Sequence, residues 1–583
     1  MSQIAIAVIL IFNTFALACG SLNATTNLTG TEAGRVLATS DHSEPVTTAT
    51  SPGKVTQAVG PSLEVSDSVG IWKRFEASFT NESWNGNPFD LEFSATFTHA
   101  GSGKKVSQIG FYAGNNTWKL FFMPDALGEW TFTTSSPDAE LDGKSGSFEC
   151  VPSDLPGPLV GDGNRWKLAG SGEYVAPILL PTREWFKRTE TANGVDDFIF
   201  WAKNSAGALL IGTTLVYFTQ AQAEVPYIKG EEGETFNVEL WDRLNSHYDM
   251  LRDQGLGFYV MFYSDEKESP NAYGIGPQSP EELRLFRYAV ARFSAYPIVM
   301  WDTGIDIGET RGNDWINWFA DWFNANDPWH HPVSSRSGGG SGGTLPKNAT
   351  YYSDGAATLP DHDVVVNSWN SLSIPLAYTD RWRENYNRGN FDPDKIRWAA
   401  WEVGLVGGTA VYLGGNENGG YLNESYATDL IAAPQLEIRD RFFHDQIIDL
   451  SKLEPHDEMI LSGKDVVLSA DRTREFVAYS RTGGSFSINF SGINGTFTGT
   501  WINPRTGDQS SAGVISAGGD VAFTTPGDSD WVLHLVSSDA SAGGGPCSSN
   551  FYSVSSGGTG LSKVVLPDLP FRVYLPLSMQ CGG

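Results

Sequence analysis

The feature that most constrains the fold is an alternation of short apolar runs with longer helix-like stretches between residues 160 and 450. Strands that alternate with helices favour βα units and a parallel sheet. Helical patterns occur at 241–254, 280–293, 315–323 and 393–403. The runs that we interpret as strands are 175–180, 209–214, 258–263, 298–303, 331–336, 364–369, 375–380 and 409–414. Eight strands over about 240 residues match the size of a (β/α)8 TIM barrel.

One connection does not fit this pattern, because the segment between the sixth and seventh runs is too short for a full helix. On both sides of the central region, apolar residues alternate with period two, for example at 91–97 and 530–535. Such alternation, broken by Gly, Asn and Asp turns, is typical of antiparallel sandwiches. We therefore expect a β-sandwich over 62–155, the barrel over 156–450 and a second β-sandwich over 451–538.

The two ends of the chain differ from these regions. Residues 4–18 are almost wholly apolar, a length that is short for a membrane span and suits the core of an export signal. We predict a signal peptide over 1–20, a Ser/Thr-rich linker over 21–61, and a Gly/Ser-rich tail over 539–583. The protein is expected to be secreted, with attachment to the cell surface through a lipid on Cys19 as an alternative.

Composition narrows the possible partners. The chain carries 68 acidic and 39 basic residues, a net charge of −29, which argues against nucleic acid and anionic membranes as partners. Nineteen tryptophans would serve large cores or platforms that stack on sugar rings. No CxxC motif or Cys/His cluster occurs, and His330 and His331 lack a carboxylate at metal-binding spacing, so we expect neither a metal nor a cofactor.

Candidate catalytic residues follow from the barrel, whose active sites lie at the C-terminal ends of the strands. Asp306 follows the fourth predicted strand, and Asp380 ends the seventh. Two carboxylates on opposite parts of a rim can flank a glycosidic bond, one donating a proton and the other acting as nucleophile or base. Glu309 and Glu384 lie close by and are the alternatives.

Each candidate also has a structural interpretation. Asp306 could cap a short helix, and Asp380 could form a salt bridge with Arg381 or Arg383. Asp302, inside the fourth strand, is expected to pair with an arginine of the barrel interior. Trp369, at the end of the sixth predicted strand, would be either a sugar platform or a packed tryptophan. The expected substrate contacts are Arg183, Glu184, Asp265, Trp301, Arg336 and Trp369.

Residues 301–306, Trp-Asp-Thr-Gly-Ile-Asp, resemble the fourth-strand signature of clan A glycoside hydrolases, Trp-x-x-Gly-Asn-Glu. In this resemblance Asp306 occupies the acid/base position and Asp380 that of the nucleophile. Ile305 replaces the usual Asn, and both carboxylates are Asp where Glu is usual. Apiosidase-like (DUF4038) relatives carry Gly-Gly-Asp at the same place, so the resemblance extends to them.

The flanking regions carry resemblances of their own. Residues 111–119 and 123–130 are similar to the Ig-like DUF5060 domain that precedes such barrels. Residues 499–507 and 530–533 are similar to a C-terminal β-domain that is named for collagen binding. Together the resemblances cover about residues 65–536, and they imply a β-sandwich, a TIM barrel and a second β-sandwich in that order.

These observations predict a secreted glycoside hydrolase that cleaves O-glycosidic bonds of a polysaccharide or oligosaccharide by a two-carboxylate mechanism. The alternative is a non-catalytic carbohydrate-binding or surface adhesion protein, since the departures from Glu could mark a barrel that has lost its chemistry. A polysaccharide lyase is a weaker alternative, because the rim shows no obvious Tyr, His or Lys base. The sugar, the linkage, endo or exo action, retention or inversion and the oligomeric state stay open.

Overall fold

The computed structural model describes residues 67–181, 195–217, 236–264, 274–336, 343–355, 358–380, 382–384, 391–414 and 430–539. Within these ranges, a sheet-rich region, a central region of strands and helices, and a second sheet-rich region follow one another. No helix of the described ranges is long and apolar enough to cross a bilayer. The predicted signal peptide and linker, and all but the first residue of the predicted tail, lie outside the described residues.

The first region consists of two sheets that enclose an aromatic core. A sheet of five strands has the order β1-β8-β7-β3-β4, and a sheet of three has the order β2-β6-β5. Rings from opposite sheets stack in pairs, Phe75 on Phe148 at 4.1 Å and Phe97 on Phe122 at 3.9 Å. The strands are β1 (Ser68–Gly70), β2 (Phe75–Thr80), β3 (Ser94–His99), β4 (Lys105–Ile109), β5 (Phe111–Tyr112), β6 (Thr117–Phe122), β7 (Gly128–Ser135) and β8 (Ser145–Val151).

A short antiparallel sheet leads into the central region, formed by β9 (Leu159–Asp162), β10 (Arg165–Leu168) and β11 (Tyr174–Val175). The central strands are β12 (Ile178–Pro181), β13 (Leu210–Tyr217), β14 (Gly257–Ser264), β15 (Val299–Gly304), β16 (Val333–Ser334), β17 (Tyr352–Asp354), β18 (Leu376–Tyr378), β19 (Arg383–Glu384), β20 (Ala410–Val411) and β21 (Leu413–Gly414). The α-helices are α1 (Val195–Ala206), α2 (Val238–Asp253), α3 (Pro280–Phe293), α4 (Asn313–Asn326), α5 (His362–Ser371), α6 (Pro393–Leu405) and α7 (Ala432–Arg441). A 3-10 helix covers Ile307–Glu309, and a π-helix covers Phe442–Gln446.

Six of the central strands form one parallel sheet in the order β16-β15-β14-β13-β12-β20. Strands β17 and β18 form a separate parallel pair. The pair is linked to the larger sheet on both sides: Ala377 bridges Thr409, and the Thr350 N–H donates to the Val333 carbonyl at 2.9 Å. Thr350 precedes β17 and Thr409 precedes β20, so each of these two contacts joins one of the sheets to a segment next to the other.

The prediction of a strand at 364–369 is wrong, because these residues lie in α5. A strand of a parallel sheet is covered on both faces and is apolar on both. Here Val365 is the buried residue of the helix, Val364 is 48% exposed, and polar Asn367, Ser368 and Asn370 follow. The strand that precedes residues 376–378 is instead β17, and α5 lies in the longer connection between β17 and β18.

The first predicted strand also begins too early. Tyr174 and Val175 pair with β10 in the short antiparallel sheet, and the parallel strand begins at Ile178. This antiparallel sheet covers the N-terminal ends of the parallel strands: the Leu159 N–H donates to the Pro297 carbonyl at 3.3 Å, and Gly161 packs against Pro375. The opposite, C-terminal edge of the parallel strands is where a site can form.

The last region again contains two sheets, one of six strands in the order β22-β24-β25-β30-β27-β28 and one of three in the order β23-β26-β29. Phe486 and Trp501 meet between them, edge to face, at 6.1 Å. Tyr479 stacks on Trp401 of α6, which joins this region to the central one. The strands are β22 (Glu454–Pro455), β23 (Ile460–Ser462), β24 (Val466–Ala470), β25 (Glu475–Ser480), β26 (Ser485–Asn489), β27 (Thr496–Ile502), β28 (Gln509–Ser516), β29 (Asp520–Thr524) and β30 (Trp531–Ser537). Short 3-10 helices cover Leu450–Lys452 and Asp457–Met459.

Candidate active site

The C-terminal ends of strands β15 to β18 carry a group of acidic and basic side chains. Asp306 follows β15 by two residues, Arg336 follows β16 by two, Asp354 ends β17, and Asp380 follows β18 by two. The carboxyl ends of neighbouring parallel strands meet at one edge, where active sites of such sheets form. Four consecutive strands therefore bring three carboxylates and one guanidinium to the same edge.

Asp306 lies in a tight turn that begins at Gly304, the last residue of β15. Gly304 has φ +114°, and a Cβ at this position would lie 1.7 Å from the Tyr263 carbonyl oxygen. The Ile305 N–H donates to that same oxygen at 3.0 Å. Asp306 itself has the left-handed conformation, φ 50° and ψ 32°, which costs about 1–3 kcal/mol in a non-glycine residue. Strained residues of this kind cluster at active sites and ligand clamps.

The structural alternative for Asp306 is not realised, since its side chain makes no capping hydrogen bond to the 3-10 helix that follows. Asp306 is partly exposed, and Glu309 at the end of the same helix is exposed. Both side chains are thus accessible at the edge, although Glu309 lies further along the chain from the strand end.

Glu282, a buried carboxylate in α3, holds the segment that follows this turn. Glu282 accepts hydrogen bonds from Tyr263 Oη at 2.9 Å and Trp315 Nε1 at 2.8 Å, and Arg311 Nη2 lies 3.3 Å away. Arg311 follows the 3-10 helix, and Trp315 lies in the first turn of α4. The segment that contains Asp306 is therefore fixed to β14, α3 and α4.

Asp380 has very different surroundings. It is 4% exposed, and Arg336 Nη2 donates to its Oδ2. Arg383 Nη2 lies 4.0 Å from its other oxygen, while Arg381 lies outside the described residues. Burial lowers the pKa of Arg336, but the charge of Asp380 and other neighbours raise it by more, so its pKa lies above the usual value. The ion pair therefore keeps the guanidinium charged.

Asp302 lies at the centre of this group and is fully buried. Its Oδ1 accepts from the Gly304 N–H at 2.9 Å and from the Arg336 N–H at 3.3 Å. Its Oδ2 accepts from Ser353 Oγ at 2.9 Å and from Tyr351 Oη at 3.1 Å. The expected ion pair with an arginine side chain is thus replaced by bonds from main-chain N–H groups and hydroxyls. Burial raises the pKa of Asp302, and the hydrogen bonds from the Gly304 N–H and Ser353 Oγ, together with the charge of Arg336, oppose that shift.

Glu384 holds a helix in place. It is 1% exposed, its Oε1 accepts from the Ile431 N–H at 2.7 Å, and its Oε2 accepts from the Ala432 N–H at 2.9 Å and Tyr412 Oη at 2.8 Å. These N–H groups begin α7, where the helix dipole favours a negative charge. Both oxygens are occupied, so the structure favours an anchoring role for Glu384 over the catalytic alternative.

Two tryptophans predicted as substrate contacts do not reach the edge. Trp301 is fully buried, and its Nε1 donates to Asp327 Oδ2 at 2.8 Å among the helices, because successive residues of β15 point to opposite faces. Trp369, in α5, lies at the N-terminal edge of the sheet, where the Arg165 guanidinium covers its ring at 5.4 Å. Neither side chain therefore lies where a substrate at the C-terminal edge would contact it. Of the other predicted contacts, Arg336 lies at the edge, whereas Arg183, Glu184 and Asp265 lie outside the described residues.

Sequence reasoning missed Asp354. It is partly exposed at the end of β17, and its carbonyl accepts from the Thr379 N–H at 2.9 Å. The misplaced sixth strand hid it, although Asp354 in Tyr352-Ser353-Asp354 is a strand-end carboxylate of the kind that the other strands offered.

His331 Nδ1 lies 2.8 Å from Asp327 Oδ2. The described residues contain no group of three or more side chains that could hold a metal.

Comparisons with known families match both flanking regions. Residues 68–137 match the DUF5060 family, "Domain of unknown function", and residues 455–536 match the family described as "Putative collagen-binding domain of a collagenase". Together they cover less than half of the chain. No curated protein sequence matches the chain.

Solved structures share the fold. One, described as a "putative glycoside hydrolase" from Bacteroides vulgatus, has a TM-score of 0.66 at 19% identity and covers 81% of this chain and 100% of its own. A structure described as "Glycoside hydrolase" has a TM-score of 0.51 at 14% identity, covering 66% of this chain and 98% of its own. A family 5 glycoside hydrolase from Bacteroides vulgatus has a TM-score of 0.51 at 13% identity, covering 66% and 93%. The chain thus has the multidomain fold of proteins described as glycoside hydrolases.

Proposed function

We propose that the protein is a glycoside hydrolase that cleaves O-glycosidic bonds of a polysaccharide or oligosaccharide. The observation that carries the proposal is the meeting of Asp306, Asp354, Asp380 and Arg336 at the C-terminal ends of four consecutive parallel strands. Glycoside hydrolases use a pair of carboxylates that flank the scissile bond. The fold likeness to proteins described as glycoside hydrolases supports the same class.

The proposal includes a closed (β/α)8 barrel of the clan A type, related to the apiosidase-like proteins. Its support is that the six-stranded parallel sheet and the pair of β17 and β18 are linked by the Thr350–Val333 hydrogen bond and the Ala377–Thr409 bridge. We assign the barrel to 156–450 and the flanking β-sandwich domains to 62–155 and 451–538. The family matches at 68–137 and 455–536 fall inside the two flanking domains.

In the proposed mechanism Asp306 is the general acid and Asp380 the nucleophile or base. Asp306 is partly exposed on the turn that follows the strand end, and a general acid at such a position can donate its proton to a leaving oxygen. Asp380 lies beside the charged Arg336 guanidinium, and a neighbouring positive charge favours the ionised form that a nucleophile or base requires.

A second candidate, a non-catalytic carbohydrate-binding or adhesion protein, has one observation in its favour. Asp380 is 4% exposed and bound to Arg336, an arrangement that a purely structural ion pair would also show. The two candidates differ in turnover, because a binding protein retains glycan without releasing reducing ends.

The deciding experiment measures reducing ends released from a panel of polysaccharides. Purified wild type, Asp306→Asn, Asp380→Asn and the control Glu309→Gln would be compared. Loss of a general acid lowers kcat/KM by about 10²–10⁴-fold, and we expect this for Asp306→Asn and a comparable loss for Asp380→Asn, with Glu309→Gln within about threefold of wild type. Glycan binding by the wild type without turnover would favour the second candidate. Activity that survives both Asp substitutions would refute the residue assignment while leaving the class intact.

Secretion is part of the proposal and rests on the apolar run at residues 4–18. Expression of the full chain in a secreting host should release a protein whose N-terminus begins near residue 20. Recovery of lipid-modified Cys19 in the membrane fraction would favour the lipid-anchored alternative. An unprocessed chain that remains inside the cell would contradict export.

A further inference from the structure

We propose that Asp302 is a positioning residue that fixes the candidate acid and the candidate nucleophile relative to each other through a single buried carboxylate. This inference rests on the proposed function, because it assigns a role within that site. Asp302 lies inside the sheet, below the edge, and is fully buried.

The first link runs from Asp302 toward Asp306. Oδ1 of Asp302 accepts from the Gly304 N–H at 2.9 Å, two residues before Asp306. Gly304 can adopt φ +114° because it has no Cβ, and the bond holds its peptide in the orientation that starts the left-handed turn. Movement of this N–H would rotate the turn that places the Asp306 carboxyl.

The second link runs from the same oxygen toward Asp380. The Arg336 N–H donates to Oδ1 at 3.3 Å, and the Arg336 side chain reaches Asp380. Arg336 passes across Gly355, where a Cβ would lie 2.4 Å from Arg336 Nε. Backbone and side chain of Arg336 are therefore fixed at two points, one of them provided by Asp302.

The third link uses the other oxygen. Oδ2 of Asp302 accepts from Ser353 Oγ at 2.9 Å, and Ser353 Oγ lies 3.0 Å from Thr379 Oγ1, next to Asp380. Tyr351 Oη also donates to Oδ2, at 3.1 Å. The carboxylate thus joins β15 to the ends of β16, β17 and β18, which are the strands that carry the candidate groups.

A hydroxyl or an amide side chain could satisfy only part of this network, because each has a single oxygen that can accept hydrogen bonds. An ionised carboxylate is an acceptor on both oxygens, which matches four donors from four positions in the chain. Desolvation of a buried carboxylate costs free energy, and the four hydrogen bonds to Asp302 offset part of that cost.

The test compares Asp302→Asn with Asp327→Asn in the full-length protein. Asp327 is a matched control: it is buried and accepts from Trp301 Nε1 at 2.8 Å, but it follows α4 and lies away from the C-terminal ends of the strands. Both variants remove a buried carboxylate charge. Only Asp302→Asn removes bonds that lead to the candidate site.

Two readouts are measured, turnover on the glycan that wild type degrades and amide hydrogen exchange resolved at Gly304 and Arg336. Misplacement of a catalytic group by about 1 Å costs about 100-fold in rate, so we expect Asp302→Asn to lower kcat about 100-fold with KM within about threefold. The Gly304 and Arg336 amides should exchange about tenfold faster in Asp302→Asn and at the wild-type rate in Asp327→Asn. Equal loss of kcat in the two variants, or unchanged exchange at both amides, would overturn the inference.

Two further variants cover a failure of Asp302→Asn to fold. Ser353→Ala and Tyr351→Phe each remove one donor to Oδ2 and leave the carboxylate, and each should lower kcat about fivefold at unchanged KM. Wild-type kcat in both would overturn the inference. If wild type itself releases no sugar from any glycan, the proposed hydrolase function fails, and hydrogen exchange at Gly304 and Arg336 alone decides whether Asp302 fixes the strand ends.

Discussion

The two candidate catalytic aspartates lie at the same edge of the central region in opposite kinds of surroundings. Asp306 is partly exposed, has a left-handed backbone and makes no capping bond to the helix that follows. Asp380 is buried against the Arg336 guanidinium, with Arg383 at 4.0 Å. Pairs of titratable groups with contrasting environments are typical of sites in which one group donates a proton and the other stays ionised.

The contrast also separates two ways of holding a side chain, by a strained main-chain turn and by an ion pair with a second side chain. Asp306 is placed by the turn that Gly304 permits, so its position is a property of the main chain. Asp380 is placed by an ion pair, so its position depends on a second side chain. Disturbing either support should therefore have a distinct signature in stability and in activity.

The largest effect on stability is expected when the support of Asp380 is removed. Arg336→Met leaves a buried carboxylate without its guanidinium, and removal of one partner of a buried ion pair costs about 3–5 kcal/mol. The measurement is the free energy of unfolding from urea denaturation at pH 7, with activity as a second readout.

Two controls sharpen this result. The double variant Arg336→Met/Asp380→Leu removes both charges and should recover most of the lost stability while remaining inactive. Asp306→Asn, by contrast, should change the free energy of unfolding by less than about 0.5 kcal/mol, because asparagine tolerates the left-handed conformation at an accessible position. A large loss in Asp306→Asn would show that Asp306 has a structural role after all.

The second largest effect concerns the turn that carries Asp306. Gly304→Ala places a Cβ 1.7 Å from the Tyr263 carbonyl oxygen, at φ +114°. Because the contact is to the backbone of β14, relief requires movement of a strand, and we expect a loss of about 3 kcal/mol or more together with loss of activity. Gly312→Ala is the matched control, since nothing lies within 4 Å of a Cβ there. Near-equal melting temperatures for the two variants would contradict the steric argument.

How well the sequence predicts the elements that hold the two aspartates depends on how far apart in the chain the interacting residues lie. The βα pattern located β13, β14 and β15 to within three residues, because burial on both faces of a strand leaves a continuous apolar signal, and it located α3 at its observed bounds. They missed β17, whose three residues are too few for any period, and they assigned a Val-rich helix at 362–371 to a strand. The left-handed Asp306 could be approached from Gly304 in the sequence, but the Asp302 bonds could not, since they join residues up to 51 positions apart.

The third prediction tests whether Glu384 belongs with the catalytic pair or with the scaffold. In Glu384→Gln, one N–H donor from the start of α7 or the Tyr412 hydroxyl would face an amide NH₂ in place of an oxygen. An unsatisfied buried polar group costs about 1–3 kcal/mol, and we expect a stability loss of that size with kcat of the folded protein within about threefold of wild type.

The control for this substitution is Glu437→Gln, which alters a surface pair in which Arg441 is exposed and Glu437 is partly exposed. Exposed pairs contribute about 0–1 kcal/mol, so the control should be close to wild type in the same denaturation experiment. If Glu384→Gln loses activity by orders of magnitude while remaining stable, Glu384 replaces Asp380 as the candidate nucleophile.

The smallest effect extends the comparison to a buried carboxylate away from the site. His362 of α5 lies between Glu402, at 3.4 Å from Nδ1, and Asp457, at 2.7 Å from Nε2. Burial lowers the pKa of His362, but these carboxylates raise it by more, to about 9. The folded protein therefore binds the proton more tightly than the unfolded chain, whose histidine pKa is about 6.5. The stabilisation is fully present below pH 6.5 and disappears as the pH rises through 9.

Glu402 also receives a bidentate pair from Arg481 of the last region, so the His362 cluster joins α5 and α6 to that region. We expect wild type to lose about 1 kcal/mol of stability relative to His362→Gln between pH 6.5 and pH 9, measured by urea denaturation at both pH values. Parallel pH dependence in the two proteins would show that folding does not raise the pKa of His362. The neutral variant matters here because it keeps a hydrogen-bonding side chain at the junction. Any difference between the two slopes then reports the proton bound to His362. That proton places a positive charge beside Glu402, a carboxylate that has no access to solvent, whereas Asp306 is partly exposed.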